Sequence, residues 1–268
     1  MIGRNLNPEL FMRPLLLTFL LLPLLAAAED LQVRRFDYQA SNAVVSCRYH
    51  IDWPVGGVST QVLDKIRFAL LTEGWSTPDH QARSTGENPR PHLMRRASLF
   101  AENRMGLDEE QDAPSAPWEE LADLAYLEPC GGVKVFKYMA YEYTGGAHGN
   151  SAVDFLSFDA QGELIPRTAW FIAGTEGALS KKIEAGFRKQ KDLAPDAPLS
   201  ANGFFEDHLP PSHALRPTPN GMEFFYNSYE VACYAEGQPA LTLPWAELLD
   251  LLTPAARESL EGVLPRGR

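Results

Sequence analysis

A short glycine-rich stretch constrains the fold of this chain more than any other part of its sequence. Residues 138–151 have the sequence Tyr-Met-Ala-Tyr-Glu-Tyr-Thr-Gly-Gly-Ala-His-Gly-Asn-Ser. Alternating large and small side chains lead into Gly145 and Gly146, and a second alternating run follows. Two such runs joined by a tight glycine-containing connection are typical of a β-hairpin. The stretch therefore predicts a strand over 133–143, a hairpin tip, and a partner strand over 152–158.

The N-terminal part of the chain has the pattern of strands followed by a helix. Residues 31–53 alternate in the way that one or two strands do. Residues 59–73 place apolar side chains at helical spacing, with Ser59 as the expected N-cap and Gly74 as the expected C-cap. A helix of this kind covers one face of a sheet.

The C-terminal part adds further short elements. Its apolar spacing predicts a short helix from Trp118 to Ala125 and a longer one over 175–190. An irregular excursion with six prolines is expected over 191–219. The remaining predictions are two short strands or one bent strand over 222–234, a strand over 240–243, and a final helix that begins at Thr253-Pro254.

These elements predict an α+β fold, with mixed or antiparallel sheets, helices packed on one face, and two closely associated domains. We expect a signal peptide over residues 1–28, an N-terminal α/β domain with an acidic linker over 29–117, and a C-terminal domain over 118–268.

The prediction of a signal peptide rests on Arg4 and Arg13, an apolar run of 11 residues, and a small-residue cleavage site. The run is shorter than the ~20 residues that cross a bilayer. The expected location is therefore periplasmic or extracellular, without a stable membrane anchor.

The charge balance bears on the class of partner. Residues 29–268 contain 22 basic and 34 acidic residues once Arg4, Arg13 and Glu9 are set aside, which gives a net charge of −12. Such a surface disfavours nucleic acid and favours cationic partners through long-range attraction, although solubility alone also explains it.

Three cysteines allow at most one internal disulfide bond. Cys130 and Cys233 both lie at ends of predicted strands in the C-terminal region, and we expect these two to pair. Cys47 lies inside a strand pattern and is expected to be buried.

Several motifs of the C-terminal half resemble the extracytoplasmic domain of unknown function shared by RsiV-type anti-sigma factors and PdaC-type peptidoglycan deacetylases. The resemblance covers roughly residues 118–253, and residues 42–100 are more faintly similar to the partner domain that usually precedes it. The motifs are Tyr143-Thr-Gly-Gly-Ala-His-Gly149, Phe158-Asp159 with Gly162, Asn220-Gly-Met-Glu-Phe224, Tyr229-Glu-Val231 and Tyr234-Ala-Glu-Gly237.

The resemblance implies an extracytoplasmic sensor or binding module. In the anti-sigma factors this domain recognises lysozyme, and in the deacetylases it accompanies a separate catalytic domain. Neither an anti-sigma segment nor a deacetylase metal motif is present in this sequence, so the signalling role is not carried over. The residue before Tyr234 is Cys233, where the family more often has proline.

The glycine-histidine tip admits three interpretations. The glycines are explained by backbone geometry alone, or the tip binds a sugar or a protein edge through amides and aromatic rings, or His148 acts as a general base oriented by Asp154 or Glu142. No nucleophile elbow surrounds Ser151, which leaves catalysis without a committed partner. The candidate ligand-binding residues are Tyr141, Tyr143, Gly145, Gly146, His148, Asn150, Tyr229 and Tyr234.

The six histidines lack the spacing of a zinc site, so no metal and no cofactor are expected. The sequence therefore predicts an exported binding or sensor-like module rather than an enzyme, whose partner is a cationic protein such as lysozyme or a cell-wall fragment. The alternative is a hydrolase or transferase that acts on wall glycan or peptide through His148.

Overall fold

The computed structural model describes residues 30–74, 86–105 and 117–265. Within these ranges the chain forms eight strands and five α-helices. In chain order they are β1 (Gln32–Ser41), β2 (Val45–Gly56), α1 (Thr60–Ala69), α2 (Arg90–Met105), β3 (Trp118–Tyr126), β4 (Lys134–Tyr143), β5 (Asn150–Phe158), α3 (Glu176–Gln190), β6 (Ala214–Thr218), β7 (Gly221–Phe225), β8 (Ala240–Pro244), α4 (Trp245–Leu248) and α5 (Pro254–Ser259).

Two sheets organise these elements. Strands β1 to β5 form one sheet in sequential order, antiparallel throughout except for the parallel β2–β3 pair. Strands β6, β7 and β8 form a smaller antiparallel sheet. The predicted α+β class, with mixed and antiparallel sheets, is confirmed.

The parallel β2–β3 pair explains where the first two helices lie. Parallel neighbours need a crossover connection, and the chain makes it through α1 and α2. These helices cover one face of the large sheet. Their apolar residues, including Ile66 and Phe100, pack with buried Tyr49, Ile51 and Trp53 of β2. The predicted cap is present, because the Ser59 side chain accepts a hydrogen bond from the Val62 amide.

Strands β4 and β5 contribute to both sides of the large sheet. Successive strand residues point to opposite faces. Phe136 and Leu156 therefore join the core beneath α1 and α2, while Val135 and Phe155 join a second core. This second core is formed with α3, β6 to β8, α4 and α5, which together we call the C-terminal layer.

The hairpin prediction is confirmed in its essentials. Strands β4 and β5 pair from Lys134 opposite Phe158 to Glu142 opposite Asn150. The predicted helix over 175–190 matches α3, and α5 begins as expected, with the Thr253 hydroxyl accepting a hydrogen bond from the Ala256 amide.

The short helix predicted from Trp118 to Ala125 is wrong, because these residues form β3. Alternate residues such as Ala122 and Leu124 point into the core. The acidic Glu120 occupies another of the inward positions, which hides the two-residue period in the sequence. Insertion between β2 and β4 supplies hydrogen bonds on both sides, and this tertiary pairing decides the conformation.

The irregular excursion predicted over 191–219 is wrong in its last part, where β6 runs from Ala214 to Thr218. Pro217 lies within this strand. Proline is tolerated there because β6 is at an edge of the small sheet, where a missing amide donor costs little.

The expected Cys130–Cys233 disulfide is absent. All three cysteines lie in the described ranges and are free; Cys47 and Cys130 are buried and Cys233 is exposed. Cys130 precedes the start of β4, whereas Tyr234, next to Cys233, contacts the far end of the β4–β5 hairpin. The ten residues of β4 span about 30 Å, and bridged cysteines need Cα atoms within about 7 Å.

Two predictions fall largely outside the described residues: the signal peptide over 1–28 and most of the acidic linker. The proposed domain boundary at 117/118 lies just before β3, and the large sheet continues across it. The division into two domains stays a prediction. None of the helices in the described ranges is long and apolar enough to cross a bilayer.

Candidate functional site

The backbone of the hairpin tip, residues 144–149, depends on its glycines. Gly145 and Gly146 have φ angles of 104° and 97°, in the left-handed region that side chains disfavour. The Tyr143 hydroxyl donates a hydrogen bond of 3.1 Å to the carbonyl oxygen of Gly146. The tip is therefore a defined turn held by a side chain of its own strand.

Gly149 makes room for a neighbouring aromatic ring. A Cβ atom at this position would lie 2.4 Å from the ring and hydroxyl atoms of Tyr141. The Tyr141 ring thus rests directly against the backbone where β5 begins, and a larger residue at position 149 would displace this ring. Both Tyr141 and Tyr143 therefore contact the backbone of the tip and help to hold its shape.

Three aromatic rings form an exposed stack beside the tip. The His148 ring lies 4.2 Å from the Tyr234 ring at an interplanar angle of 19°. The Tyr229 ring follows at 6.1 Å and 29° from that of Tyr234. Tyr229 is 53% exposed and Tyr234 is 43% exposed. We call these three residues the ring stack.

The turn that carries the two tyrosines is held in a costly conformation. Tyr229 has a φ of 67°, which is uncommon for a residue with a large side chain. Its amide donates to the carbonyl of Ala232 at 3.1 Å, and the Glu230 carboxylate accepts from the Asn227 amide at 2.5 Å. These bonds fix the Tyr229 backbone and present its ring to solvent.

Two amide side chains join this turn to the hairpin. Asn227 accepts from the Val153 amide at 2.7 Å and donates to the Val153 carbonyl at 3.0 Å. Gln238 donates to the Ser151 carbonyl at 3.2 Å. Together they occupy the outer edge of β5, where a sixth strand would otherwise pair. They also fix the tyrosine turn relative to His148.

The tautomer of the His148 ring follows from its contact with the Gly149 backbone. Nδ1 lies 2.9 Å from the carbonyl oxygen of Gly149, which can only accept, so Nδ1 carries the proton. Among the described residues, no carboxylate hydrogen-bonded to this imidazole is recorded. Asp154 instead accepts from Arg167 at 2.8 Å.

The second expected orienting acid, Glu142, lies on the other face of β4. It is next to Tyr141 and Tyr143 in sequence, and alternation directs it away from them. Burial, and then the nearby Glu120 carboxylate, raise the pKa of Glu142. Neither of the two expected orienting acids is thus hydrogen-bonded to the His148 ring among the described residues.

The structure brings three of the predicted residues, His148, Tyr229 and Tyr234, into one exposed group. Four others, Tyr141, Tyr143, Gly145 and Gly146, shape the turn beside it. Asn150 lies at the first rung of the hairpin, opposite Glu142.

Sequence reasoning missed a buried cluster between α2 and the large sheet, formed by Tyr49, Arg96, Glu120 and Tyr138, which we call the Arg96 network. Arg96 Nε and Nη2 lie 2.9 Å and 2.7 Å from Glu120 Oε1. The Tyr49 hydroxyl donates to the same carboxylate. The Arg96 guanidinium carbon is 5.8 Å and 5.9 Å from the ring centroids of Tyr49 and Tyr138.

Asn227 and Gln238 were missed as well. No sequence signal marks them, because each acts on a strand more than 70 residues away along the chain. Within the part of the chain that the structure describes, no group of three or more His, Cys, Asp or Glu side chains is arranged to hold a metal ion.

Comparison with known proteins gives a family match and a shared fold. Residues 171–246 match a family model described as a protein of unknown function, DUF3298. This range includes Tyr229 and Tyr234 and excludes His148. No curated protein sequence matches the chain.

Two solved structures share the fold. A DUF3298 family member from Bacteroides fragilis is 17% identical, with a TM-score of 0.65 over 87% of this chain and 98% of its own. A DUF3298 family protein from Pseudomonas aeruginosa is 18% identical, with a TM-score of 0.57 over 90% and 100%. The chain thus carries a DUF3298 match in its C-terminal layer and has the fold of two DUF3298 proteins, a family whose function is unknown.

Proposed function

We propose that this chain is an exported binding module that recognises a cationic protein, such as a lysozyme-like enzyme, through the ring stack. The observation that carries the proposal is the exposure of Tyr229 and Tyr234 on a turn whose backbone is fixed. Tyrosine rings bury large areas in interfaces and lose little conformational entropy when they are already held in place.

Charge supports the nature of the partner. The net charge of −12 over residues 29–268 attracts a cationic protein at long range. Glu230 and Glu236 are exposed on the same turn region as the two tyrosines. A basic surface that covers the rings would therefore meet carboxylates at its rim.

The resemblance to the RsiV-type domain supports the same partner class. Its motifs include the tip and both tyrosines of the ring stack. In the anti-sigma factors the domain recognises lysozyme, and that role is proposed for this chain on the strength of the exposed rings.

A binding measurement tests the proposal directly. Immobilised residues 29–268 should bind lysozyme with micromolar or better affinity, and the affinity should fall with salt because exposed charges are screened over ~10 Å at 0.1 M. Tyr234→Ala should weaken binding about 30-fold, equivalent to about 2 kcal/mol, if the ring is a central contact. Phe68→Ala removes another exposed ring, which lies on α1 and is 54% exposed against 43% for Tyr234, and is the matched control.

The opposite results are equally clear. Absence of binding at micromolar concentrations, or equal losses for Phe68→Ala and Tyr234→Ala, would reject the ring stack as the binding surface. His148→Ala distinguishes binding from catalysis: weaker binding without any turnover of wall glycan or peptide supports an interface. Loss of a measurable turnover would instead favour the hydrolase or transferase.

A further inference from the structure

A cavity lies where the turn Leu70–Gly74, strands β4 and β5 of the large sheet, and the C-terminal layer meet. It has a volume of about 260 Å³. Its polar lining residues are Glu73, Tyr138, Asp154, Arg167, His213 and Asn227. Ligand sites occur preferentially at such junctions, where separate elements contribute side chains to one space. The volume suits a small ligand, since drug-sized ligands occupy roughly 300–1,000 Å³.

One wall of this cleft presents a positioned cation. Asp154 accepts from the Phe155 amide and from Arg167 Nη2, both at 2.8 Å. The Arg167 side chain remains 49% exposed. A guanidinium has five N–H donors, and the pair with Asp154 uses one recorded donor. Arg167 is therefore oriented and still has donors for a carboxylate, the group that guanidinium binds in bidentate fashion.

Another wall presents an acid. Glu73 is exposed at the end of the π-helical turn Leu70–Gly74 that follows α1. Among the described residues, no hydrogen bond or ion pair is recorded for Glu73. This turn packs closely against β5. The closeness is shown at Gly74, where an added Cβ atom would lie 2.8 Å from Leu156 Cδ1. The backbone beside the Glu73 carboxylate is thus held in place.

The lining also includes the apolar side chains of Ala152, Leu156 and Ala214. The Asn227 side chain is already bonded to the Val153 backbone and fixes that wall. We propose that this cleft binds a small zwitterion, an amino acid or dipeptide, with its carboxylate on Arg167 and its ammonium on Glu73. This site is separate from the ring stack and does not rest on the function proposed for it.

The test uses residues 29–268 and three probes of matched size, followed by calorimetry or by amide shifts in NMR. Alanyl-alanine should bind saturably, whereas N-acetyl-alanyl-alanine lacks the ammonium and alanyl-alanine amide lacks the carboxylate. Each modified probe should bind at least about tenfold more weakly, because each loses one charged contact worth about 1.4 kcal/mol or more.

Variants locate the contacts. Arg167→Gln and Glu73→Gln should each weaken alanyl-alanine binding about tenfold or more, and Ala152→Leu should block it by filling the cleft. Arg48→Gln and Glu163→Gln change exposed charges outside the cleft and should leave binding unchanged. Tyr234→Ala should also leave it unchanged, which separates this site from the ring stack.

Three outcomes would overturn the proposal. They are no saturable binding of alanyl-alanine up to about 10 mM, equal affinity for all three probes, and full affinity in a folded Arg167→Gln or Ala152→Leu variant. Thermal melting of each variant identifies those that remain folded.

Discussion

The Arg96 network and the ring stack use the same ingredients, aromatic rings with a cation or an imidazole, and differ in their contact with water. Arg96 and Glu120 side chains are 14% and 9% exposed, beneath α2. Tyr229 and Tyr234 in the ring stack are about half exposed. When such groups are buried, they lose their contacts with water, and they must form hydrogen bonds and ion pairs with one another to offset that desolvation cost. Exposed on a fixed turn, they remain available to a partner. The first cluster therefore serves the fold, and the second is the surface that we propose for recognition.

The largest effect should come from breaking the buried cluster. Arg96→Met leaves the Glu120 carboxylate without its ion-pair partner and should reduce the free energy of unfolding by about 3–5 kcal/mol. Urea unfolding followed by circular dichroism measures this loss. Arg95→Met changes the neighbouring exposed residue and should stay within about 0.5 kcal/mol of wild type. A small effect of Arg96→Met would show that the network is not structural.

A smaller loss is expected at the hairpin tip. Gly146→Val forces a β-branched residue into a φ of 97° and should cost about 1–3 kcal/mol. No atom lies within 4 Å of the added Cβ, so backbone strain alone is responsible. The same urea-unfolding measurement on Ala147→Val, whose φ is not positive, supplies the control. Equal stability of the two variants would contradict a glycine requirement.

The ring stack itself should contribute modestly to stability. Tyr234→Ala removes the contact with His148 and should lower the free energy of unfolding by about 1 kcal/mol, typical of an aromatic pair. Its effect on partner binding should be larger. A loss of stability as large as that of Arg96→Met would make the stack a second structural cluster and remove the contrast.

The smallest effect concerns pH. Burial and the Glu120 charge raise the pKa of Glu142, and Arg96 opposes them in part. A raised folded-state pKa means that this group's stabilising contribution is present below the usual value of 4.5 and is lost as pH rises through the folded value. Glu142→Gln should therefore be more stable than wild type at pH 7, by less than about 0.5 kcal/mol because the group is partly screened.

Unfolding free energies at pH 7 and at about pH 4 measure this difference, which should shrink or reverse at the lower pH. Glu119 lies on the face of β3 opposite to that of Glu120, and the Glu119→Gln variant serves as control. A Glu142→Gln variant that is less stable than wild type at pH 7 would show that the Glu142 charge is favourable where it stands.

Local patterns explain which parts of the fold were predictable. The β4–β5 hairpin, α1 with its Ser59 cap, and α5 with Thr253 and Pro254 depend on residues close together in the chain. Strand β3 does not, since its inward Glu120 is acceptable only because Arg96 of α2 neutralises it. That pairing is invisible to a window centred on residue 120.

The same division holds for the candidate site. The tip glycines follow from turn chemistry, and Tyr229, Tyr234 and His148 were singled out by motif. Their stacking needs Asn227 and Gln238, which bond to β5 across more than 70 residues of chain. Side-chain amides occur everywhere on protein surfaces, so nothing in the sequence distinguishes these two.

The insertion of β3 between β2 and β4 sets an order of events in folding. Val45 pairs with Trp118, so closing this contact requires a loop of more than 70 residues and pays the corresponding chain entropy. Until the chain has been synthesised as far as residue 126, the β1–β2 pair has no third strand beside it. Isolated hairpins are only marginally stable in water. We therefore expect the large sheet to be completed only after β3 has joined β2 to β4.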